Sequence, residues 1–365
     1  MRQIFRAALA ICFLCCVCIA SARQPESGFR SEDVLFYGQD SLHYAGTLTL
    51  PDNPGRHTAV VIASGTYPQD RDGTMAGHKI FKEIAEYLSR RGIAVLRVDD
   101  RGVGGSDGIY EDATTADFAG DVIAAVEYLR TRKEIDRRRI GVLGHSEGGA
   151  TCSIAASECK DIRFLISVAG LMTDGLSSVI QQNKDIVAST DGIPDINRKR
   201  YDEINGIMFH TAYEYANADS TTLSAALYKA YDEWKAKDDE MIRESGIMND
   251  HFRYPIYMYV QQATSNWYRF FIRYNPADYL SKVKIPVLAV NGTKDVMVNC
   301  RQNLDNVRKY LRHNRNVTTV ELPGLNHLLL PCENGTPDEY AKISAPVSTE
   351  ALDVIYSWIR DTAGL

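Results

Sequence analysis

The chain has 365 residues, 45% of them hydrophobic and 24% charged, with a formal net charge of −6. It can build a large core plus an accessory region, because single cores stop growing at roughly 250–300 residues, and its composition is ordinary for a soluble globular protein. The acidic balance, without a basic stripe, argues against nucleic acid as a partner, since phosphate chains are bound through clustered Lys and Arg.

At the N-terminus Arg2 and Arg6 precede the apolar run Ala7–Ile19, and Ala20-Ser21-Ala22 follows. A basic head, an apolar stretch of this length and an A-x-A site read as a secretory signal over residues 1–22. The mature protein is therefore expected to be secreted, periplasmic or held in the cell envelope. The run is shorter than the ~20 apolar residues of a spanning helix, and no second such run follows. No transmembrane span is expected in the mature form. Cys12, Cys15, Cys16 and Cys18 leave a lipoprotein signal open, although none sits in a convincing lipobox. Removing Arg2 and Arg6 takes the net charge from −6 to −8. The cysteines left are Cys152, Cys159, Cys300 and Cys332. An even number in an exported protein permits disulfides, while Cys152 and Cys159, on one predicted helix, read as buried thiols.

Val34–Tyr37 and Leu42–Leu50 alternate in polarity around Gly38-Gln39-Asp40 and predict an opening β-hairpin. Strands are then expected at Ala59–Ala63, Ile93–Val98, Ile140–Leu143 and Phe164–Val168. Helices are expected between them, at His78–Arg90, along Phe118, Val122, Ile123, Val126 and Leu129, and at Glu147–Glu158. Strands alternating with helices of this length imply an α/β fold, a mostly parallel, doubly wound sheet covered on both faces. The rhythm breaks near Leu171. About a hundred residues of helical, aromatic-rich sequence follow before it resumes with the strand Ile285–Val290, the helix Gln302–Leu311, the strand Val317–Leu322 and the helix Ala351–Thr362. The expected organisation is a core in two pieces, residues 23–171 and 276–365, interrupted by a helical cap at 172–275. Insertions of this kind emerge beside the strand ends where ligands bind.

Gly144-His145-Ser146-Glu147-Gly148 fits G-x-S-x-G directly between a predicted strand and a predicted helix. That context is what the motif demands, because the serine must stand on a sharp turn whose flanking positions have no room for side chains. A serine hydroxyl needs a base, and the base needs a carboxylate to orient it. Asp295, in the loop after Pro286–Val290, and His327, in the loop after Val317–Leu322, follow in the order Ser, acid, His. His313 reads as a solvated cation at a helix end, and His43, His57 and His78 precede the nucleophile. Oxyanion donors are expected from the backbone N–H of Glu147 and of Thr66, which follows the strand Ala59–Ala63. The charged turns Gln69–Gly73 and Asp99–Ser106, with Arg71 and Arg101, read as bracing for active-site loops. No His/Cys/Asp cluster has metal-site spacing and no Gly-rich loop forms a nucleotide cradle, so neither metal nor cofactor is expected.

With these motifs the chain resembles bacterial α/β-hydrolase carboxylesterases of the EstD type. The resemblance is carried by Ser64–Gly73, Asp99–Ser106, Gly144–Gly149, Asn291–Asp295 and Leu322–His327, and covers most of the mature chain. It implies the α/β-hydrolase fold and ester hydrolysis through an acyl-enzyme on Ser146, with His327 and Asp295. Tyr67 departs from the family pattern, which has a small residue there, and is expected to narrow the acyl site. In the same context Cys300 and Cys332, each five residues past a triad member, suggest a disulfide clamping the two loops, against two independent thiols.

The aromatic stretch at the end of the insertion, Tyr254, Tyr257, Tyr259 and Trp267–Phe271, reads either as the cap's own core or as an apolar wall for the acyl group; Trp267 and Phe270 are candidates for that wall. Asp238-Asp239-Glu240 reads as a solvated helix face. The expected partner is a small-molecule or carbohydrate-linked ester with a short or medium acyl group. A serine aminopeptidase or an acyl-CoA thioesterase on the same fold is the alternative. A non-catalytic binding module would be expected to have lost a triad member.

Overall fold

The structure, a computed structural model, describes residues 28–364 apart from Asp40 and Asn249. The expected leader, residues 1–22, lies outside the described residues.

Eight strands form one sheet. In chain order they are β1 (Phe29–Tyr37), β2 (His43–Pro51), β3 (His57–Ala63), β6 (Ile93–Val98), β7 (Ile135–His145), β8 (Leu165–Val168), β9 (Val287–Gly292) and β10 (Val317–Leu322); β4 (Thr74–Met75) and β5 (His78–Lys79) make a separate short ladder. The sheet order is β1-β2-β6-β3-β7-β8-β9-β10. The first two strands are antiparallel, and β6 to β10 run parallel through β3, β7, β8 and β9.

Apolar side chains on both faces of the central strands explain the burial. In β3, Ala59 and Val61 join one core while Val60 and Ile62 join the other. The first core packs against α2 (Thr115–Thr131) and α3 (Glu147–Glu158), the second against α1 (Ile80–Ser89) and α12 (Thr349–Ala363). Between β8 and β9 stand α4 (Gly175–Ser189), α5 (Asp195–Tyr215), α6 (Ser220–Glu244), α7 (Ile256–Ala263) and α8 (Asn266–Arg273). The short α9 (Ala277–Leu280) leads back to the sheet, and α10 (Cys300–Tyr310) and α11 (Pro337–Tyr340) flank its last strands. Among the described residues no helix is long and apolar enough to cross a membrane.

Two expectations need correction, and the alternative left open for Cys300 and Cys332 is decided. Asp238 is not on a solvated face: it is buried on α6, with Arg200 of α5 donating to both its carboxylate oxygens at 2.7 and 2.6 Å. Arg200 also binds Asp250, at 2.8 Å, and its guanidinium lies 4.1 Å from the Phe252 ring centroid. Cys300 and Cys332 are separate free thiols, directed at the Asn291 and Gly324 carbonyls respectively. Strand β7 begins at Ile135 rather than Ile140: Ile135 pairs with His57 and the ladder resumes with Ile140 on Ala59, the charged run Asp136–Arg139 falling in the register shift between them.

Candidate active site

Parallel strands deliver their C-terminal ends to one edge of the sheet, where ligands gather in open α/β folds. β3 ends just before Ser64-Gly65-Thr66, β7 before Ser146, β9 three residues before Asp295, and β10 five before His327. The sheet register aligns them: Ala63 pairs with Gly144, and Gly292 with Leu322.

Ser146 sits between β7 and α3 at φ 57°, ψ −124°. L-residues are rarely found at positive φ, and such strain concentrates at functional sites. Here surrounding bonds hold it. The Ser146 N–H donates to Val168 O at 3.2 Å, and its carbonyl accepts from Gly149 and Leu171 at 3.0 and 2.8 Å. Its hydroxyl forms no capping bond to α3. The turn is tight enough that a Cβ on Gly144 would lie 1.9 Å from Gly148 O, and one on Gly148 would lie 2.5 Å from Ala63 O.

His327 is buried, and its Nδ1–H donates to Asp295 Oδ2 at 2.9 Å. The same carboxylate accepts from Asn291 Nδ2 at 3.1 Å and from the Met297 and Val298 N–H groups at 2.9 and 2.8 Å. The acid is therefore fixed by four donors, and the imidazole by the acid. A second histidine supports the first from behind: His145 Nε2–H donates to the His327 carbonyl at 2.9 Å, and the two rings lie 4.7 Å apart. Burial first, then the neighbouring His327, pushes His145 down to about 3. It is a neutral structural donor at ordinary pH.

The loop after β3 passes directly over the serine, since a Cβ on Gly65 would stand 2.8 Å from Ser146 Cβ. Arg71 grips Asp99, with Nη2 to Oδ2 at 2.6 Å, and Arg101 grips Asp121 at 2.6 Å. Both arginines thus hold loop to framework. Tyr67, at φ 72°, stands on the rim and is 68% exposed. It lies at the mouth rather than narrowing the interior.

Ser146, His327, Thr66 and Glu147 line one cavity of about 1270 Å³. Asp295 lies behind His327, outside the lining. The helices between β8 and β9 form much of the wall, with Val179, Ile186, Tyr201, Tyr254, Trp267 and Phe271. Phe270 is not part of the lining. On α8 the helical period groups Trp267, Tyr268 and Phe271 on one stripe toward the cavity, and Phe270 falls beyond its edge, packed among the neighbouring helices. Trp267 and Phe271 stack at 5.1 Å.

One feature was not visible in sequence. Glu147 was expected to act through its backbone alone, yet its carboxylate is fully buried and accepts from Thr115, Trp267 and Thr66. A carboxylate opening the otherwise uncharged and mostly small-residue run up to Ser157 was the available signal.

A family model described as X-Pro dipeptidyl-peptidase (S15 family) matches residues 40–328. The chain belongs to that family. It is also 26% identical to Esterase EstD from Thermotoga maritima over 336 residues, covering 92% of this chain and 68% of the esterase. Among solved structures, an α/β-hydrolase from a Penicillium species aligns with a TM-score of 0.55 at 19% identity, covering 92% of this chain and 100% of that one. An esterase from Pyrococcus furiosus aligns with a TM-score of 0.55 at 16% identity, covering 93% and 92%. The protein is a serine hydrolase with the α/β-hydrolase fold.

Proposed function

We propose that the enzyme is a carboxylesterase that works through an acyl-enzyme on Ser146. The observation that carries this reading is the Asp295–His327 hydrogen bond of 2.9 Å beside a serine held at φ 57° in the wall of the same cavity. In the first half-reaction Ser146 Oγ attacks the ester carbonyl and its proton passes to His327 Nε2. The backbone N–H groups of Thr66 and Glu147 receive the oxyanion. Collapse expels the alcohol, which takes the proton from Nε2, and a water molecule repeats the sequence to release the acid. Asp295 keeps Nδ1 protonated and stabilises the imidazolium.

The lining favours an uncharged substrate. It contains no Lys or Arg among the described residues, and its only carboxylates are Glu111 and Glu147. Glu147 is occupied by three donors, and Glu111 is exposed at the mouth. A peptidase that selects a free amino terminus needs a carboxylate aimed at it, and CoA phosphates need cations. The cavity exceeds the roughly 300–1,000 Å³ of ordinary ligand sites. That leaves room for a short or medium acyl group and a sizeable alcohol, a carbohydrate included. In this reading α4 to α8 act as a cap, Trp267 and Phe271 face the substrate, and Tyr67 guards the entrance. Residues 1–22 would export the enzyme to an ester outside the cytoplasm.

The family match keeps the dipeptidyl-peptidase reading as the second one. The test is hydrolysis of a p-nitrophenyl ester series from acetate to palmitate beside an X-Pro-p-nitroanilide, by wild type and by Ser146→Ala. Ester turnover lost in the variant supports the proposal; turnover of the anilide alone replaces it with the peptidase.

A further inference from the structure

Glu147 is the first residue of α3, immediately after the serine, and only 2% exposed. Thr115 Oγ1 donates to its Oε1 at 2.6 Å, Trp267 Nε1 to the same oxygen at 2.8 Å, and Thr66 Oγ1 to Oε2 at 2.8 Å. The three donors come from three separate parts of the chain: the start of α2, the helix α8 in the cavity wall, and the loop over the serine. Burying a carboxylate is costly unless it is hydrogen-bonded. The buried positions beyond it on α3 are mainly small or apolar, including Ala150, Cys152, Ile154 and Ala155. A nonpolar residue would have packed this position at less cost, as buried charges often yield to hydrophobic replacements without loss of stability. A negative charge at a helix N-terminus is favourable, but that alone requires neither burial nor three specific donors.

We propose that the Glu147 carboxylate is a positioning residue for the esterase reaction, holding the Thr66 oxyanion donor in place and tying it to the Trp267 wall of the cavity. The inference rests on the reading of Ser146 as nucleophile and Thr66 N–H as oxyanion donor. Gly65 already lies against Ser146, so the remaining freedom of the loop at Thr66 is rotation of the next peptide. The hydroxyl of Thr66, pinned from behind by Glu147, removes that freedom. Trp267 presents its ring to the cavity and its N–H to the same carboxylate. A substrate group resting on the ring is therefore two hydrogen bonds from the oxyanion donor. An oxyanion contact raises kcat only if its geometry suits the transition state, so loosening Thr66 should lower kcat and spare KM.

The test measures kcat and KM for p-nitrophenyl esters with the purified enzyme, normalised to sites titrated by a fluorophosphonate. The variants are Glu147→Gln, Glu147→Leu, Thr66→Val, Thr66→Ser and the Glu147→Leu/Thr66→Val pair. Removing one oxyanion donor outright costs about 10²–10³ in kcat. Displacing it should cost less, about 10- to 100-fold for Glu147→Leu and Thr66→Val, with KM within about threefold. Glu147→Gln, whose oxygen can still accept from Trp267 and Thr115 while its amide N–H donates to the Thr66 hydroxyl, and Thr66→Ser, which restores the hydroxyl, should each recover most of the loss. The pair should be no slower than the slower single variant, because both break one link. Unchanged kcat in folded Thr66→Val, or additive losses in the pair, overturns the proposal. If Glu147→Leu does not fold, the Thr66→Val and Thr66→Ser contrast decides it alone. Absence of ester turnover by wild type, or activity retained in Ser146→Ala, would instead overturn the esterase reading beneath it.

Discussion

The indole N–H of Trp267 donates to Glu147 Oε1 at 2.8 Å across 120 residues of sequence. It joins a helix between β8 and β9 to the residue following the serine, so this helix and the sheet edge are held in one hydrogen-bonded unit. Trp267→Phe keeps the ring and deletes the donor, leaving a buried carboxylate one bond short. Hydrogen bonds to charged groups contribute about 1.5–3 kcal/mol, and urea unfolding should show a loss of that order. A loss below about 0.5 kcal/mol, the usual size for neutral surface changes, would mean the bond is not maintained in solution.

His145 supports His327 only while neutral. Its pKa falls from 6.5 to about 3 on folding, so between these values the unfolded chain takes up a proton that the native state refuses. The stability it contributes is present above pH 6.5 and is lost as pH falls toward 3, at about 1.4 kcal/mol per unit. His145→Gln, which retains an N–H donor for the His327 carbonyl, should flatten the acid side of the stability curve over that window. Parallel urea-midpoint curves for variant and wild type would contradict this.

Asp100 titrates in the opposite sense. Burial, reinforced by Asp121 and Glu147, pushes its carboxyl up from 3.8 to about 7. The native state therefore holds a proton that the unfolded chain releases, so the contribution is full below pH 3.8 and is lost as pH rises through about 7. Asp100 accepts from Ser64 Oγ at 2.6 Å and from the Gln69 N–H at 2.9 Å. Asparagine can serve both partners, giving and taking one bond each. Asp100→Asn should gain on wild type from pH 4 to about 7 in thermal melts and level off above that. A constant difference across that range would show that Asp100 keeps an ordinary pKa.

The ion group of Arg200, Asp238 and Asp250 organises the helices that wall the cavity. Asp238→Ala leaves the buried Arg200 guanidinium with Asp250 as its one carboxylate partner among the described residues, and breaking a buried pair this way costs about 3–5 kcal/mol. Because α5 also supplies Tyr201 and Phe209 to the lining, the same variant should raise KM for bulky esters more than for acetate. Equal effects on both would separate the ion group from substrate binding.

Cys152, Cys159, Cys300 and Cys332 are all free. Thiol titration of the protein lacking residues 1–22, denatured without reductant, should find all of them. A deficit of two would restore the Cys300–Cys332 bridge.

Much of the candidate site was legible because its signals are local. G-x-S-x-G encodes its own turn, through glycines whose missing side chains leave room for backbone oxygens. Asp295 and His327 could be read because each stands just past an apolar strand, and parallel strands end on one edge. The helices between β8 and β9 were legible as a break in the alternation. What escaped notice depended on partners distant in sequence. Asp238 lies among acids and looks solvated until Arg200, 38 residues earlier, is brought against it. Phe270 is the candidate in sequence, and it is the packing of α8 that instead turns Phe271 to the cavity. The strand start at Ile135 was hidden because the charged run Asp136–Arg139, which falls in a register shift, separates it from the apolar stretch at Ile140.

Local pattern by itself determined the order of elements, the strained turn at Ser146 and the order of acid and base, since each depends on residues within a few positions of one another. Tertiary structure alone decided what the Glu147 carboxylate touches, which face of α8 lines the cavity and how Cys300 and Cys332 are directed. Those outcomes depend on the docking of segments tens of residues apart, and no local preference specifies that docking.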